Sequence, residues 1–549
     1  MNLFNSIRIK TPKRNKFNLS HDVKLSMEMG QLVPILCQDV IPGDTFKCNS
    51  EVFIRFAPMI APIMHRINVY VHYFFVPKRL LWDGWKQFIT GDVDGKSGMP
   101  NEYDETVPAY PRIKILNSPT DSSTGKSPMT THFVPGTLAD YLGFPVQNSP
   151  GEMDTVELDA LPFRAYQLIY NEFYRDQTLD PTIDIGKYSF FDGVSSEAWY
   201  VQGLCTLRNR AWKKDYFTSA LPWPQRGDAV ELPLYGDGNV ILDKHSMASS
   251  TPSFVTDSSP NPQGNISQGT KSPGQANIQV NSVNESAFYD PDGSLKVDMQ
   301  NVSAATINEL RQAIKAQEFL ELSARGGSRY IEQILAFFGV KSSDARLQRP
   351  EYLGGGKQPV IISDVLQTSQ STKDSPQAQP AGNAVSLGKS NSFKRFFEEH
   401  GYVIGIMSVM PVPAYQQGMP RQFTKFDRLD HYWPQFANLG EQEIKSQELF
   451  FKPNDPHNDD TFGYAPRYAE YKFINSSVHG DFRNSLNFWH LGRIFSERPN
   501  LNSTFIHFQD GTANRAFAVQ DSNFNHLWVS VRNNITALRP MPKYGTPLL

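Results

Sequence analysis

Cysteine is scarce. Cys37, Cys48 and Cys205 are the three in 549 residues, with ten positions between the first two. That spacing fits neither a C-x-x-C redox pair nor a zinc knuckle, so no disulfide scaffold and no metal site is expected. Long apolar runs are missing too. The best, Val403 to Val409, soon meets Pro411 and Pro413, far short of the roughly 18 residues that span a bilayer. The basic start of the chain has no apolar stretch behind it, so export by the Sec route is not expected and the chain reads as made and used in cytoplasm. An excess of one charge is also absent: 53 Lys+Arg stand against 56 Asp+Glu, a net of −3, which argues against a body coated in nucleic acid. Disorder is excluded in turn, because a chain this long with 39% hydrophobic residues buries most of its surface on folding.

The usual anchors of catalysis are missing as well. Gly388-Lys389-Ser390 has its leading glycine, Gly382, one residue too far away for a phosphate loop, and Gly125-Lys126-Ser127, Gly95-Lys96-Ser97 and Gly356-Lys357-Gln358 fail the same pattern. No G-x-G-x-x-G, H-E-x-x-H or G-x-S-x-G occurs. Glu398-Glu399-His400 and His457-Asn458-Asp459-Asp460 set carboxylates beside imidazole, yet both read as polar connections rather than acid/base sites. Asp290-Pro291-Asp292-Gly293 reads as a turn because the later ligands of a calcium loop are out of register. The expectation is a protein that is not an enzyme and needs no cofactor.

What is present is organised unevenly. Five cations, Arg8, Lys10, Lys13, Arg14 and Lys16, fall within residues 1–17 with no acid among them, leaving 48 cations against 56 acids in the rest. This is a short basic arm on an acidic body, able to neutralise about five phosphates in a salt-dependent way. A solvated tail is the plainer reading of the same charges.

Period-two patterning marks strands. Ile67, Val69, Val71, Tyr73 and Phe75 alternate with Arg66, Asn68, Tyr70, His72 and Phe74, which predicts a half-buried strand. Val52, Ile54 and Phe56 alternate just upstream, Leu527, Val529 and Val531 near the other end, and Tyr402 to Met410 is a further β-rich run. Strand material is therefore expected mainly near the two ends. Helices are predicted over 306–324, where Thr306 and Glu309 form a capping box, over 328–338, and over 161–174 with Pro162 in its first turn. Their apolar stripes, Ile307, Leu310 and Ile314 among them, are expected in the core.

Two stretches, 236–301 and 366–392, are rich in Ser, Pro, Gly, Asn or Gln and lack periodicity. They read as long surface loops. Aromatics are abundant, with 37 Phe, 22 Tyr and 8 Trp, and several adjoin cations: Arg395-Phe396-Phe397, Arg493-Ile494-Phe495 and Trp212-Lys213-Lys214. Such pairs suit protein interfaces or base stacking.

Phe17-Asn18-Leu19-Ser20-His21-Asp22-Val23-Lys24 and Phe56-Ala57-Pro58-Met59-Ile60-Ala61-Pro62-Ile63-Met64-His65-Arg66 closely resemble the major capsid proteins of microviruses, tailless icosahedral phages with circular single-stranded DNA, and most of all the gokushovirus branch. The resemblance continues through Leu161-Pro162-Phe163-Arg164-Ala165-Tyr166, Leu221-Pro222-Trp223-Pro224-Gln225, Leu347-Gln348-Arg349-Pro350-Glu351-Tyr352, Tyr415-Gln416-Gln417-Gly418-Met419-Pro420-Arg421 and Arg539-Pro540-Met541-Pro542. It implies a mainly β chain, an eight-stranded antiparallel jelly roll of viral capsid type over 18–549, with long loop insertions containing helices. It also implies a T=1 icosahedral homo-oligomer located in the virion and assembled in the cytoplasm of a host bacterium. The implied partners are packaged single-stranded DNA, a small basic DNA-binding virion protein, internal scaffolding and pilot proteins, and a host surface receptor. Under that resemblance 236–301 is the candidate for a protrusion at the threefold axes. The 1–17 arm, by its charge, is the candidate for the interior. The rival expectation is a stand-alone β-sandwich that binds a receptor or glycan.

Overall fold

A computed structural model describes residues 13–90, 108–116, 131–148, 155–187, 192–228, 230, 307–327, 329–366, 380–521 and 524–544, together with the backbone of short strands between 239 and 298. In chain order the strands of its two large sheets are β1 (Asn15–Asn18), β2 (His21–Met27), β3 (Val33–Val40), β4 (Thr45–Phe56), β5 (Ile67–Pro77), β6 (Glu351–Pro359), β7 (Ile361–Leu366), β8 (Pro380–Lys389), β9 (Phe393–Phe396), β10 (Gly401–Pro411) and β11 (Leu527–Arg539). The larger, seven-stranded sheet runs β1-β11-β4-β8-β7, with β2 also on β11 and β9 also on β4. The smaller, four-stranded sheet runs β6-β5-β10-β3. Every pairing in both is antiparallel.

The alternation read from sequence explains which way each strand faces. Val52 and Ile54 of β4 and Val529 and Val531 of β11 are buried against Val69, Val71 and Tyr73 of β5 and Val403 and Met407 of β10. The main core thus lies between the two sheets. A polar bridge crosses it: the Tyr73 hydroxyl donates to Ser50 Oγ at 2.6 Å, Ser50 Oγ donates to Asn533 Oδ1 at 2.6 Å, and Asn533 Nδ2 donates to the Ile35 carbonyl at 2.8 Å. Burial pushes the Tyr73 hydroxyl up to about 12 and the nearby Cys48 thiol likewise to about 12, so both stay neutral.

The half-buried expectation for β5 is overturned. Phe74 and Val76, with Ile404 and Ile406 of β10, form a second core with Trp82 and with Phe163, Tyr166 and Ile169 of helix α1 (Leu161–Ile169). The smaller sheet is therefore covered on both faces, which is why every residue of β10 is buried. Helix 161–174 divides at Tyr170 into a π turn, Tyr170–Tyr174.

Three further readings are corrected. Strands are not mainly near the ends, because β6 to β9, between Glu351 and Phe396, add four that the sequence reading did not place, while the Tyr402 to Met410 run is β10. Residues 380–389, within the stretch read as a loop, form β8, paired to β4 and β7; residues 367–379 lie outside the described residues. Asn15 to Phe17, at the end of the basic arm, belong to β1 and pair with Arg539 to Ala537.

Helices α2 (Ile307–Gly326) and α3 (Tyr330–Phe338) occupy two of the predicted helical segments, and Gly327, at φ +95, stands just past the end of α2. Their apolar stripe does not enter a core. Ile307 is 71% exposed and Phe338 79%.

By contact pattern the chain divides into two units, Met1–Arg226 with Glu321–Leu549, and Gly227–Leu320. The first holds both large sheets. The second contains short antiparallel pairs such as Asn239–Leu242 with Leu295–Asp298. Among the described residues, no helix is long and apolar enough to cross a membrane.

Candidate nucleic-acid interface

The larger sheet, unlike the smaller one, keeps a face in solvent. Along β4 the residues opposite the core are Thr45, Lys47, Asn49, Glu51, Phe53 and Arg55, partly or fully exposed, while Phe46, Cys48, Ser50, Val52, Ile54 and Phe56 are buried. Strand register sets the neighbours of this row. Lys47 lies between Thr536 of β11 and Lys394 of β9, and Asn18 of β1 faces Thr536 from the other side. Two positions along β1, Lys16 faces Leu538. Towards the opposite end Arg55 faces Trp528, and Arg532 stands between Glu51 and Asp22.

Because side chains alternate with period two, these all share one face. It carries Lys16, Lys24, Lys47, Arg55, Lys389, Lys394 and Arg532 as exposed cations against Asp22 and Glu51. Lys389 is paired to Glu51 at 3.1 Å. Lys47 and Lys394 stand directly opposite each other, a like-charge pair that costs a few tenths of a kcal/mol and that an anion lying between them would relieve. Apolar and aromatic surface is interleaved: Trp528 is 50% exposed, Phe396 44% and Leu387 74%. A face of separated cations and open rings can hold phosphates and stack unpaired bases.

Of the residues chosen from sequence, Arg14 and Lys16 adjoin this face, and Lys13 is exposed just before β1. Arg14 lies 5.1 Å from the Phe396 ring centre and Lys16 is exposed on β1. Arg8 and Lys10 lie outside the described residues. Lys47, Arg55, Lys394 and Arg532 were missed, although the β4 and β11 alternation already sets Lys47, Arg55 and Arg532 on the side opposite Val52 and Val531.

The other constellations are structural. Glu399 is held by Arg79 at 2.6 and 3.0 Å, and burial pushes His400 below its usual range. Asp459 pairs with Lys445 at 2.7 Å, and His457 with Asp460 at 2.8 Å on the open surface. Arg493 is buried, 4.0 Å from the Phe505 ring centre. Among the described residues, no group of three or more His, Cys, Asp or Glu is placed to hold a metal ion.

The family described as Capsid protein (F protein) matches residues 6–549. Curated relatives include Capsid protein VP1 of Bdellovibrio phage phiMH2K, 38% identical over 97% of this chain and 95% of the relative. Capsid protein VP1 of Chlamydia phage 1 is 34% identical over 100% of this chain and 97% of the relative. Capsid protein VP1 of Spiroplasma virus 4 is 30% identical over 97% and 95%. With a two-sheet antiparallel framework, a basic sheet face and this likeness over nearly the whole length, the chain belongs to the capsid protein (F protein) family of the Microviridae, a structural component of the virion and not an enzyme.

Proposed function

We propose that copies of this chain close into a T=1 icosahedral shell around a circular single-stranded DNA genome, with the open cationic face of the larger sheet turned inward. The family match over residues 6–549 carries the shell reading. The strand order favours the eight-stranded jelly roll: β2-β11-β4 followed by β8 and β9, which lie in succession along one edge of β4 and fill a single strand position, on one side, and β3-β10-β5-β6 on the other. The arm, 1–17, reaches the same face through Lys16 on β1 and Arg14 beside Phe396, and its other cations, Arg8, Lys10 and Lys13, are assigned to the same interior surface. In this reading the 236–301 insertion, inside the separate unit Gly227–Leu320, projects outward near the threefold axes and meets the host receptor. A small basic DNA-binding protein shares the interior, and scaffolding and pilot proteins act during assembly.

Light scattering and negative-stain microscopy of virions, or of the chain produced with its companion virion genes, test the reading. Closed particles of one size are expected. A population that stays at the mass of one copy overturns the shell and favours the stand-alone β-sandwich binder.

A further inference from the structure

Residues 421–440 form a ribbon of single turns, Arg421–Phe423, Arg428–Asp430 and Pro434–Phe436, that directs apolar side chains to solvent. Phe423 is 63% exposed, Phe426 88%, Leu429 59%, Tyr432 51% and Leu439 59%; Ile474, just after the short helix Ala469–Lys472, is 90% exposed. Aromatic side chains offer about 150–250 Å² each. Phe423, Phe426 and Tyr432 therefore leave roughly 300–500 Å² bare, and the three largely bare aliphatic side chains add to it. That is a large part of the about 800 Å² that one partner contributes to a standard interface.

The ribbon is apolar outside but pinned beneath. Asp430 Oδ2 accepts from the Phe426 and Asp427 amides at 3.1 and 3.0 Å, and Trp433 Nε1 donates to the Arg428 carbonyl at 2.9 Å. The Tyr432 ring packs on Tyr468 at 4.9 Å between centres. Ordering costs on binding are therefore already largely met. The charges below are paired internally: Lys425 with Glu470 at 2.9 Å, both nearly buried, and Arg421 with Glu448 at 3.3 Å. The charges left exposed on the ribbon, Asp427, Arg428 and Asp430, sum to −1, and Arg428 lies over the Trp433 ring at 5.0 Å. A rigid, mostly apolar surface without a cationic excess offers little to a phosphate backbone and matches another apolar surface.

We propose that this ribbon, together with Ile474, is a contact between two copies of the chain in the assembled particle. The proposal rests on the shell reading and names one of the surfaces that reading requires. The occupant is a second copy because a capsid subunit must be covered by its own kind, the bare apolar area is a large part of one side of a stable interface, and the patch lacks the net positive charge that would select nucleic acid.

The test uses the full chain produced with its companion virion genes and sedimented on a sucrose gradient. Phe426→Asp and Ile474→Asp are each expected to lower the particle fraction tenfold or more, with soluble subunits whose far-ultraviolet circular dichroism is unchanged. Particles at the wild-type yield from both variants overturn the patch while leaving the shell reading intact. A wild-type chain that never forms particles overturns both. As a check independent of subunit folding, particles carrying Phe426→Cys or Ile474→Cys are treated with a short bis-maleimide, with wild-type particles as control. Cross-linked dimers specific to the introduced thiol support the contact; an introduced thiol at both positions that reacts with a soluble maleimide as fast in intact particles as in dissociated subunits refutes it.

Discussion

His65 and His72 are kept neutral by burial, which pushes both down to about 4. His65 Nε2 meets the Val412 carbonyl at 2.6 Å and His72 Nδ1 meets the Tyr174 hydroxyl at 2.8 Å. An unfolded imidazole titrates near 6.5, so between pH 6.5 and 4 the unfolded chain takes up protons that the folded one refuses. Stability is then full above about 6.5 and declines as pH falls towards 4, by up to ~3 kcal/mol per histidine. Urea midpoints measured from pH 7.5 to 4.5 should show this decline, and His72→Gln should make it shallower. The Tyr73 bridge gives a pH-independent counterpart. Tyr73→Phe leaves Ser50 without its donor inside the core and is expected to cost about 1–3 kcal/mol by guanidinium unfolding.

Strand faces decide what the sheets can do, and here the smaller sheet is covered on both sides while the larger is not. If the open face holds the genome, replacing Lys16, Lys47 and Lys394 together by Gln should flatten the salt dependence of single-stranded DNA binding. The log–log slope should fall by about 2, since each phosphate neutralised contributes roughly 0.7. Fluorescence anisotropy with an oligonucleotide reads this directly, and an unchanged slope would place the DNA elsewhere. The β4 face was legible because Val52, Ile54 and Phe56 alternate with polar residues. β8 was not, because Gly382 and Gly388 make it look like a loop. A Cβ on Gly382 would stand 2.5 Å from the Ala61 carbonyl oxygen, so close backbone packing, invisible in composition, demands the glycine. The Ile307, Leu310 and Ile314 stripe was legible as a helix but not as an exposed one, since periodicity reports a face and not what covers it.

For the assembled particle, the separate unit Gly227–Leu320 leads to a simple expectation. Limited proteolysis of intact virions should cut first within 236–301, read by mass spectrometry of the fragments; protection of that segment with cuts elsewhere would reverse the outward placement. The family and the mainly β architecture could be read from ordered motifs along the chain, whereas the candidate copy-to-copy ribbon at 421–440 could not. Its Phe426 and Leu429 carry no periodicity, and only the fold shows that they are left bare.

One strand also governs timing. β11, the last strand, is an inner strand of the larger sheet, hydrogen-bonded to β1, β2 and β4, strands made some 500 residues earlier. A ribosome must therefore have released almost the entire polypeptide before that layer can zip shut. A prematurely terminated product would lack the keystone, and the sheet could not offer a finished surface to the growing particle.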